Sequence, residues 1–161
     1  MTSPTPPRTS EDAEQRALGW ALRCDLISPG VDIGRDIRLR HGRDGLDLDL
    51  VSGVDCLTQH LAVALTTLLG SDVLNTTFGF AGLAAIAEEQ IPVLVQERLR
   101  VAVVGVLNRD PRVRRIVDVK IADLRLDAPS PGSRELGVRV VFETVTDDRV
   151  AIDLGRLVPV A

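Results

Sequence analysis

The side chains best suited to chemistry in this chain are two histidines and two cysteines. His41 lies in a predicted turn and His60 in a predicted helix, and neither has neighbours at the spacing of a known metal-ligand motif. Cys24 and Cys56 are far apart and form no C-x-x-C pair, which predicts buried free thiols in a reducing compartment. We therefore expect neither a metal site nor a cofactor.

The acidic side chains offer a second kind of chemistry, because glycoside hydrolysis needs two carboxylates across a cleft, one of them kept protonated. The acids in or near the predicted helices are Glu88, Glu89, Glu97 and Asp110. The sequence has no nucleophile-elbow or phosphate-loop motif. Aromatic residues make up only 2% of the chain, so few flat faces are available to line a sugar or nucleobase site. We expect no enzymatic activity, with peptidoglycan hydrolysis as the alternative.

Size and charge narrow the function classes further. The 161 residues and 45% hydrophobic content predict one domain with a buried core, preceded by a tail. A net charge of -4 disfavours nucleic-acid partners, which require excess positive charge. No apolar stretch follows the start of the chain and no long uncharged run occurs later, so we expect no signal peptide and no membrane insertion.

Two helices are indicated by apolar residues at three- and four-residue steps. The first carries Val54, Leu57, Leu61, Leu65 and Leu68, with Ser52 and Asp55 at capping-box spacing and Gly70 as a stop. The second is expected from Pro92 to about Leu107, with Val95, Leu99, Val103 and Val106 on its apolar face. Residues 11–19 are expected to add a short helical turn.

Alternating apolar residues predict the strands. Between Ile37 and Val51 they predict a hairpin whose five-residue turn covers residues 41–45. After the second helix, residues 117–126, 136–142 and 150–154 predict a three-stranded antiparallel meander, with a β-bulge near Ala122 and Asp123. The expected fold class is α+β: two main helices packed on a small meander, with an N-terminal hairpin. The predicted divisions are a disordered tail (1–10), an N-terminal extension (11–45) and the α+β domain (46–161).

Four short motifs, in this order, resemble the baseplate-wedge family of contractile phage tails. They are Leu48-Asp49-Leu50-Val51-Ser52-Gly53 entering the first helix, Leu68-Leu69-Gly70-Ser71 after it, Phe78-Gly79, and Asp110-Pro111-Arg112 closing the second helix. The family includes baseplate subunits of type VI secretion systems, contractile bacteriocins and extracellular contractile injection systems, and some members carry a lysozyme-like label. The resemblance covers about residues 46–158. The chain departs from the family pattern at Asp110, where Glu is usual, and at Ser71-Asp72, where Arg or Lys is common.

The resemblance implies a structural inner-baseplate subunit in the bacterial cytoplasm, built into a phage-tail-like particle. Its helical part and triplet would clamp larger wedge proteins, and its β part would template sheath attachment by strand addition, with hub or tube proteins as further partners. The implied partner-binding residues are Asp110, Pro111, Arg112, Val150, Ile152 and Leu154. A free regulatory protein-binding module of related fold is the other alternative.

Overall fold

Three helices and nine strands make up the described part of the chain, which in this computed structural model is residues 10–28, 31–82, 84, 91–123 and 136–157. The helices are α1 (Ser10–Leu18), α2 (Gly53–Thr66) and α3 (Pro92–Arg109). The strands are β1 (Trp20–Leu22), β2 (Cys24–Ser28), β3 (Val31–Ile37), β4 (Leu39–Gly42), β5 (Gly45–Leu48), β6 (Leu50–Ser52), β7 (Val113–Asp123), β8 (Leu136–Thr144) and β9 (Arg149–Leu157). This mixture confirms the predicted α+β class.

The core lies between the helices and one face of the β7-β8-β9 sheet. Most members of both predicted apolar stripes face it: Leu57, Leu61 and Leu65 from α2, and Val95, Leu99, Val103 and Val106 from α3, are buried. The prediction was wrong for Leu68, which lies beyond the end of α2 and is 48% exposed. The sheet contributes Val138, Val140, Phe142, Val150 and Ile152. Leu18 at the end of α1 is also fully buried, so the first helix belongs to the same core. The helices are therefore held by packing of their apolar faces more than by local propensity.

The start of α2 is capped differently from the prediction. Ser52 is the N-cap residue but makes no side-chain capping hydrogen bond. The Glu14 Oε1 atom of α1 instead accepts a hydrogen bond from the Val54 N–H at 3.0 Å. A carboxylate satisfies a free N–H and complements the helix dipole at this position. The capping-box prediction was wrong because the cap comes from a residue 40 positions away in sequence. The helix also ends at Thr66, four residues before Gly70.

The meander has the predicted antiparallel order, but its bulge lies elsewhere. Register is continuous from Asp118 to Asp123, so the predicted bulge at Ala122 is wrong. The register shifts twice, between Val113 and Arg115 and between Ile116 and Asp118. The second shift leaves Val117 without a partner and turns it outward, while Ile116 packs on the core. An extra residue in one strand changes which side chains face the core after it. Residues 124–126, where the prediction placed the continuing strand, lie outside the described residues.

The segment before α2 forms three two-stranded ribbons that meet at one junction. The ribbons are β1-β6, β2-β3 and β4-β5. At the junction, the N–H groups of Arg23, Asp49 and Arg38 donate in a ring to the carbonyls of Asp49, Arg38 and Arg23, at 2.9, 3.0 and 2.8 Å. The ring fixes the directions in which the three ribbons leave the body.

The predicted hairpin is present as the β4-β5 ribbon, with a shorter turn. Gly42 pairs with Gly45, so Arg43 and Asp44 alone form the connection in place of the predicted five residues. Gly45, the first residue of β5 after this connection, has a positive φ of +124°, a conformation that glycine adopts most readily. The β4-β5 ribbon spans residues 39–48, so it includes residues on both sides of the predicted boundary between the N-terminal extension (11–45) and the α+β domain (46–161).

No helix among the described residues has the length and hydropathy needed to cross a membrane.

Candidate functional site

The triplet Asp110-Pro111-Arg112 lies at the turn between α3 and β7, and its two charged side chains bind each other. Asp110 caps the end of α3, and its side chain is only 6% exposed. Its Oδ1 accepts from the backbone N–H of Arg112 at 3.0 Å and from Nε at 2.8 Å, while Oδ2 accepts from Nη2 at 2.6 Å. This is a bidentate arginine–carboxylate pair, the strongest geometry for such a bond.

Arg112 also joins the turn to the other two helices. Its Nη1 donates to the Leu18 carbonyl at 3.0 Å, which satisfies a backbone acceptor at the end of α1. The guanidinium also interacts with the thiol of Cys56 on α2. We call Cys56, His60, Asp110, Pro111 and Arg112 the corner. Its arginine is bound inside the chain, with 22% of its side chain exposed, whereas Pro111 is exposed.

Charge interactions keep the corner in one ionisation state near neutral pH. Burial opposes ionisation of Asp110, but the hydrogen bonds and charge of Arg112 outweigh it and hold the pKa of this carboxyl below its usual value. The bond to Asp110 in turn raises the pKa of Arg112. Burial is the main reason why the pKa of the Cys56 thiol is raised, so this thiol is protonated. The corner therefore holds a fixed ion pair and a neutral thiol.

His60 lies beside the ion pair and is half exposed. Its Nε2 is 3.7 Å from Asp110 Oδ2, and its ring meets Phe78 edge-on with centroids 5.7 Å apart. Burial and the charge of Arg112 lower its pKa more than Asp110 raises it, so His60 is neutral at pH 7. A cavity of about 180 Å³ lies between His60, Asp110, Phe78 and the loop after α2.

Arg109, the last residue of α3, attaches that loop to the helix. Its Nη1 and Nη2 donate to the carbonyls of Thr77 and Gly79, both at 3.2 Å. Gly79 has a φ of +109°, and a Cβ there would lie 2.8 Å from the carbonyl oxygens of Thr67 and Leu68. Only glycine fits so close an approach in this conformation. The Phe78-Gly79 pair thus has a structural reason for its identity.

The same loop presents two apolar side chains to solvent. Val73 is 87% exposed and Leu74 is 94% exposed. Their backbone is ordered by Asp72, whose Oδ1 accepts from the N–H groups of Leu74 and Asn75 at 2.9 and 3.3 Å. We call residues 71–77 the anchor loop. In this loop, two apolar side chains are exposed to solvent on a backbone that is held by hydrogen bonds.

The other predicted partner-binding residues lie in β9, and those whose side chains are described are buried. Val150 and Ile152 of β9 are buried in the core, facing α2, so their side chains hold the domain together. Leu154 continues the strand, but its side chain lies outside the described residues. In the described part of the sheet, β7 and β9 each pair with β8 alone. What β9 offers a partner is therefore backbone.

Two groups in this region were not identified from the sequence. The sequence did not reveal the contact of His60 with Asp110, because it joins residues 50 positions apart. The sequence analysis gave residues 71–77 no role, although Val73-Leu74 is an apolar pair that could have signalled an exposed contact. Glu14 and Leu18 were missed because α1 was given no role in the core.

The arrangement brings together one acid, one arginine, one histidine and one thiol. Among the described residues, no three His, Cys, Asp or Glu side chains are arranged to hold a metal ion. Comparison with protein-family models finds no match for this chain, and comparison with curated proteins finds none either.

Proposed function

We propose that this chain is a structural inner-baseplate subunit of a contractile injection particle. In this role it holds larger wedge proteins through its corner and anchor loop, and it templates sheath attachment through its meander. The proposal starts from the family resemblance of residues 46–158. Physical reasons for the identities of the family motifs support it: Gly70 and Gly79 both have positive φ, and Asp110 and Arg112 form one closed ion pair.

The observation that carries the proposal is the anchor loop beside the corner. An apolar pair that is almost fully exposed on an ordered loop gives a partner contact area at little entropic cost, because its backbone is already fixed. Arg109 connects this loop to the turn that contains the triplet. The triplet's role in this proposal is to hold the elements around the anchor loop in place. Pro111 and His60 are the exposed residues of the corner.

The sheath side of the proposal concerns the meander. Strands that pair on one side leave backbone N–H and C=O groups free for an added strand. In the described part of the chain, β9 pairs with β8 from Arg149 to Leu154 and, after a register shift, again at Leu157. Its inward residues Val150 and Ile152 keep it in place, so a sheath strand would add to a strand that is already ordered.

The test is purification of a tagged full-length chain from its source organism. We expect sheath, tube and wedge proteins by mass spectrometry, and sheathed particles by electron microscopy. The double variant Val73→Asp/Leu74→Asp should remain folded but be lost from particles, because it places two charges in the proposed contact. Val101→Asp changes an exposed valine on α3, at a different surface, and serves as the matched control.

Two results would overturn the proposal. One is the formation of normal, full-length sheathed particles in a strain that lacks this chain. The other is clearing of purified cell walls by the chain, which would favour the hydrolase alternative. Recovery of one cytoplasmic target without sheath or wedge proteins would favour the regulatory module instead.

A further inference from the structure

The cavity beside the corner has a lining that is partly apolar and partly polar. It has a volume of about 180 Å³ and lies between α2, α3 and the loop from Asn75 to Gly79. Its apolar lining comes from Leu61, Ala64, Phe78 and Val106. Cavities that bind free small molecules usually measure about 300 Å³ or more. The volume of this cavity therefore fits a single side chain of a partner protein.

Arg109 lines the cavity with a positive charge that no carboxylate balances. Its Nε donates to the carbonyl oxygen of Gly105 at 3.1 Å, and its Nη1 and Nη2 donate to those of Thr77 and Gly79 at 3.2 Å. These acceptors are neutral, and Arg109 forms no ion pair within the part of the chain that the structure describes. A guanidinium has several N–H groups beyond the three used here, so donors remain for a ligand.

The other uncommitted polar groups of the lining are also donors. The Oδ1 atom of Asn75 accepts from Thr77 Oγ1 at 2.9 Å, which leaves the N–H groups of the Asn75 amide for a ligand. His60 is neutral near pH 7, because burial and the charge of Arg112 lower its pKa, and a neutral imidazole donates from one ring nitrogen. A ligand that satisfies these groups must be a hydrogen-bond acceptor.

Asp110, the carboxylate among the described residues of the lining, is already neutralised. Both of its oxygens accept from Arg112, and only 6% of its side chain is exposed. The carbonyl oxygens that line the cavity beside it accept from Arg109. The charge of Arg109 is therefore the one that remains unbalanced. An acceptor with a negative charge complements both the free donors and this charge.

We infer that this cavity binds an acidic side chain, aspartate or glutamate, of the protein that contacts the anchor loop. The carboxylate accepts hydrogen bonds from Arg109 and Asn75, and its methylene groups lie against Phe78 and Val106. Hydrogen bonds between an arginine and a carboxylate are among the stronger ones in proteins. A neutral acceptor of the same shape satisfies the donors but leaves the charge of Arg109 unbalanced.

The cavity adjoins the surface that the proposed function assigns to a partner. Asn75 and Thr77 belong to the anchor loop, so a protein that packs on Val73 and Leu74 can also reach the cavity. The identity of this partner rests on the proposed function. The preference of the cavity for a carboxylate rests on the geometry of the free chain and can be tested without a partner.

The first experiment compares propionate with propionamide, two compounds of the same shape that differ in charge, by NMR titration of the ¹⁵N-labelled full-length chain. At neutral pH and constant ionic strength, we expect propionate to shift the side-chain N–H signals of Arg109 and Asn75 with a dissociation constant on the order of 20 mM. Propionamide should bind roughly 10-fold more weakly. The signals of Arg100, which pairs with Glu97 on α3, should not move.

Variants separate the charge of Arg109 from its bonds to the loop. Arg109→Gln should abolish the propionate shifts at Asn75, and Arg100→Gln, the matched control, should leave them unchanged. Arg109→Lys keeps the charge but not the fork of hydrogen bonds, so it should bind propionate more tightly than Arg109→Gln does. Circular dichroism and the backbone signals of the anchor loop check that each variant is folded.

Equal affinities for propionate and propionamide would overturn the inference, as would a wild-type chain whose signals do not respond to propionate. Purification of the tagged chain adds a test with the partner: Arg109→Gln should recover about 10-fold less wedge protein than Arg100→Gln. Equal recovery would overturn the inference and leave the proposed function standing. If the wild type recovered no wedge protein, the proposed function would fail, and the propionate titration would still decide the chemistry of the cavity.

Discussion

The corner and the β4-β5 ribbon (residues 39–48, the arm) each contain an arginine–aspartate pair, but the pair in the corner is largely buried and the pair in the arm is exposed. In the corner, Asp110 and Arg112 are largely buried, form a bidentate pair and join all three helices. In the arm, the side chains of Arg40 and Asp47 are both more than half exposed. Arg40 Nη2 lies 3.5 Å from Asp47 Oδ2, and the pair connects two adjacent strands. A buried pair contributes through the cost of breaking it, whereas an exposed pair contributes little. The arginine–aspartate pair of the corner therefore holds the helices together, whereas the pair of the arm only makes one face of the β4-β5 ribbon polar.

The leucines of the two regions also differ in burial. Leu57, Leu61 and Leu65 of α2 are buried beneath the corner, while the leucines of the arm are exposed. Burial of a leucine side chain stabilises a fold by roughly 2 kcal/mol, and an exposed leucine contributes that energy only when a partner covers it. The leucines of α2 therefore stabilise the body, whereas the exposed leucines of the arm contribute little to the stability of the isolated chain.

The largest effect is expected from Arg112→Ala, which should lower the free energy of unfolding by about 3 kcal/mol. The substitution leaves the Asp110 carboxylate buried without its cation and removes the bond to the Leu18 carbonyl. Urea unfolding followed by circular dichroism measures it. Arg114→Ala is the matched control, because Arg114 pairs with Asp147 at the surface. It should change stability by less than about 0.5 kcal/mol. Equal effects at both positions would contradict the distinction between a buried and an exposed ion pair.

The sequence predicted those parts of the fold that periodicity specifies. The apolar stripes of α2 and α3 and the alternation in β8 and β9 each come from neighbouring residues. Their described members face the core except Leu68, which lies beyond the end of α2 and is 48% exposed. The bulge at Val117 was placed wrongly because a bulge depends on the partner strand's register, which one strand's sequence does not reveal. The ribbons β1-β6 and β2-β3 are short and set by the junction at Arg23, so they left no clear pattern.

The candidate site was only partly predictable for the same reason. Asp110-Pro111-Arg112 is contiguous and could be recognised as a motif. Its partners Leu18, Cys56 and His60 lie 50 or more positions away from Asp110, and only the packing of three helices brings them together. The sequence also presented Arg112 as available to a partner, whereas its hydrogen bonds are made within the chain.

Two glycine substitutions, one in each region, are expected to have an equal and a smaller effect on stability. Gly79 and Gly45 both have positive φ, at +109° and +124°. An alanine Cβ at position 79 would clash with two carbonyl oxygens, whereas nothing lies within 4 Å at position 45. We expect Gly79→Ala to cost about 3 kcal/mol and Gly45→Ala about 1 kcal/mol, by urea unfolding. A cost at position 45 as large as at position 79 would show that φ strain alone decides.

The smallest expected effect is a pH response confined to the corner. The pKa of His60 is lowered from 6.5 by burial and by Arg112, so below pH 6.5 the unfolded chain takes up a proton that the folded chain resists. The contribution of His60 to stability is therefore present above pH 6.5 and is lost as pH falls through its folded pKa. Asp110, whose pKa is also lowered, adds a similar loss only below its usual 3.8.

Urea unfolding at pH 7.5 and 5.5 isolates the histidine, because the carboxylates stay ionised in this window. Wild type should lose stability between these values, and His60→Gln should lose less, since glutamine takes up no proton. His41→Gln is the matched substitution on the arm, where His41 is exposed and touches no part of the core. It should follow the wild-type profile. If His41→Gln removed the loss of stability between pH 7.5 and 5.5 and His60→Gln kept it, the pH-sensitive contact would lie in the arm. The assignment of this pH response to His60 would then be wrong.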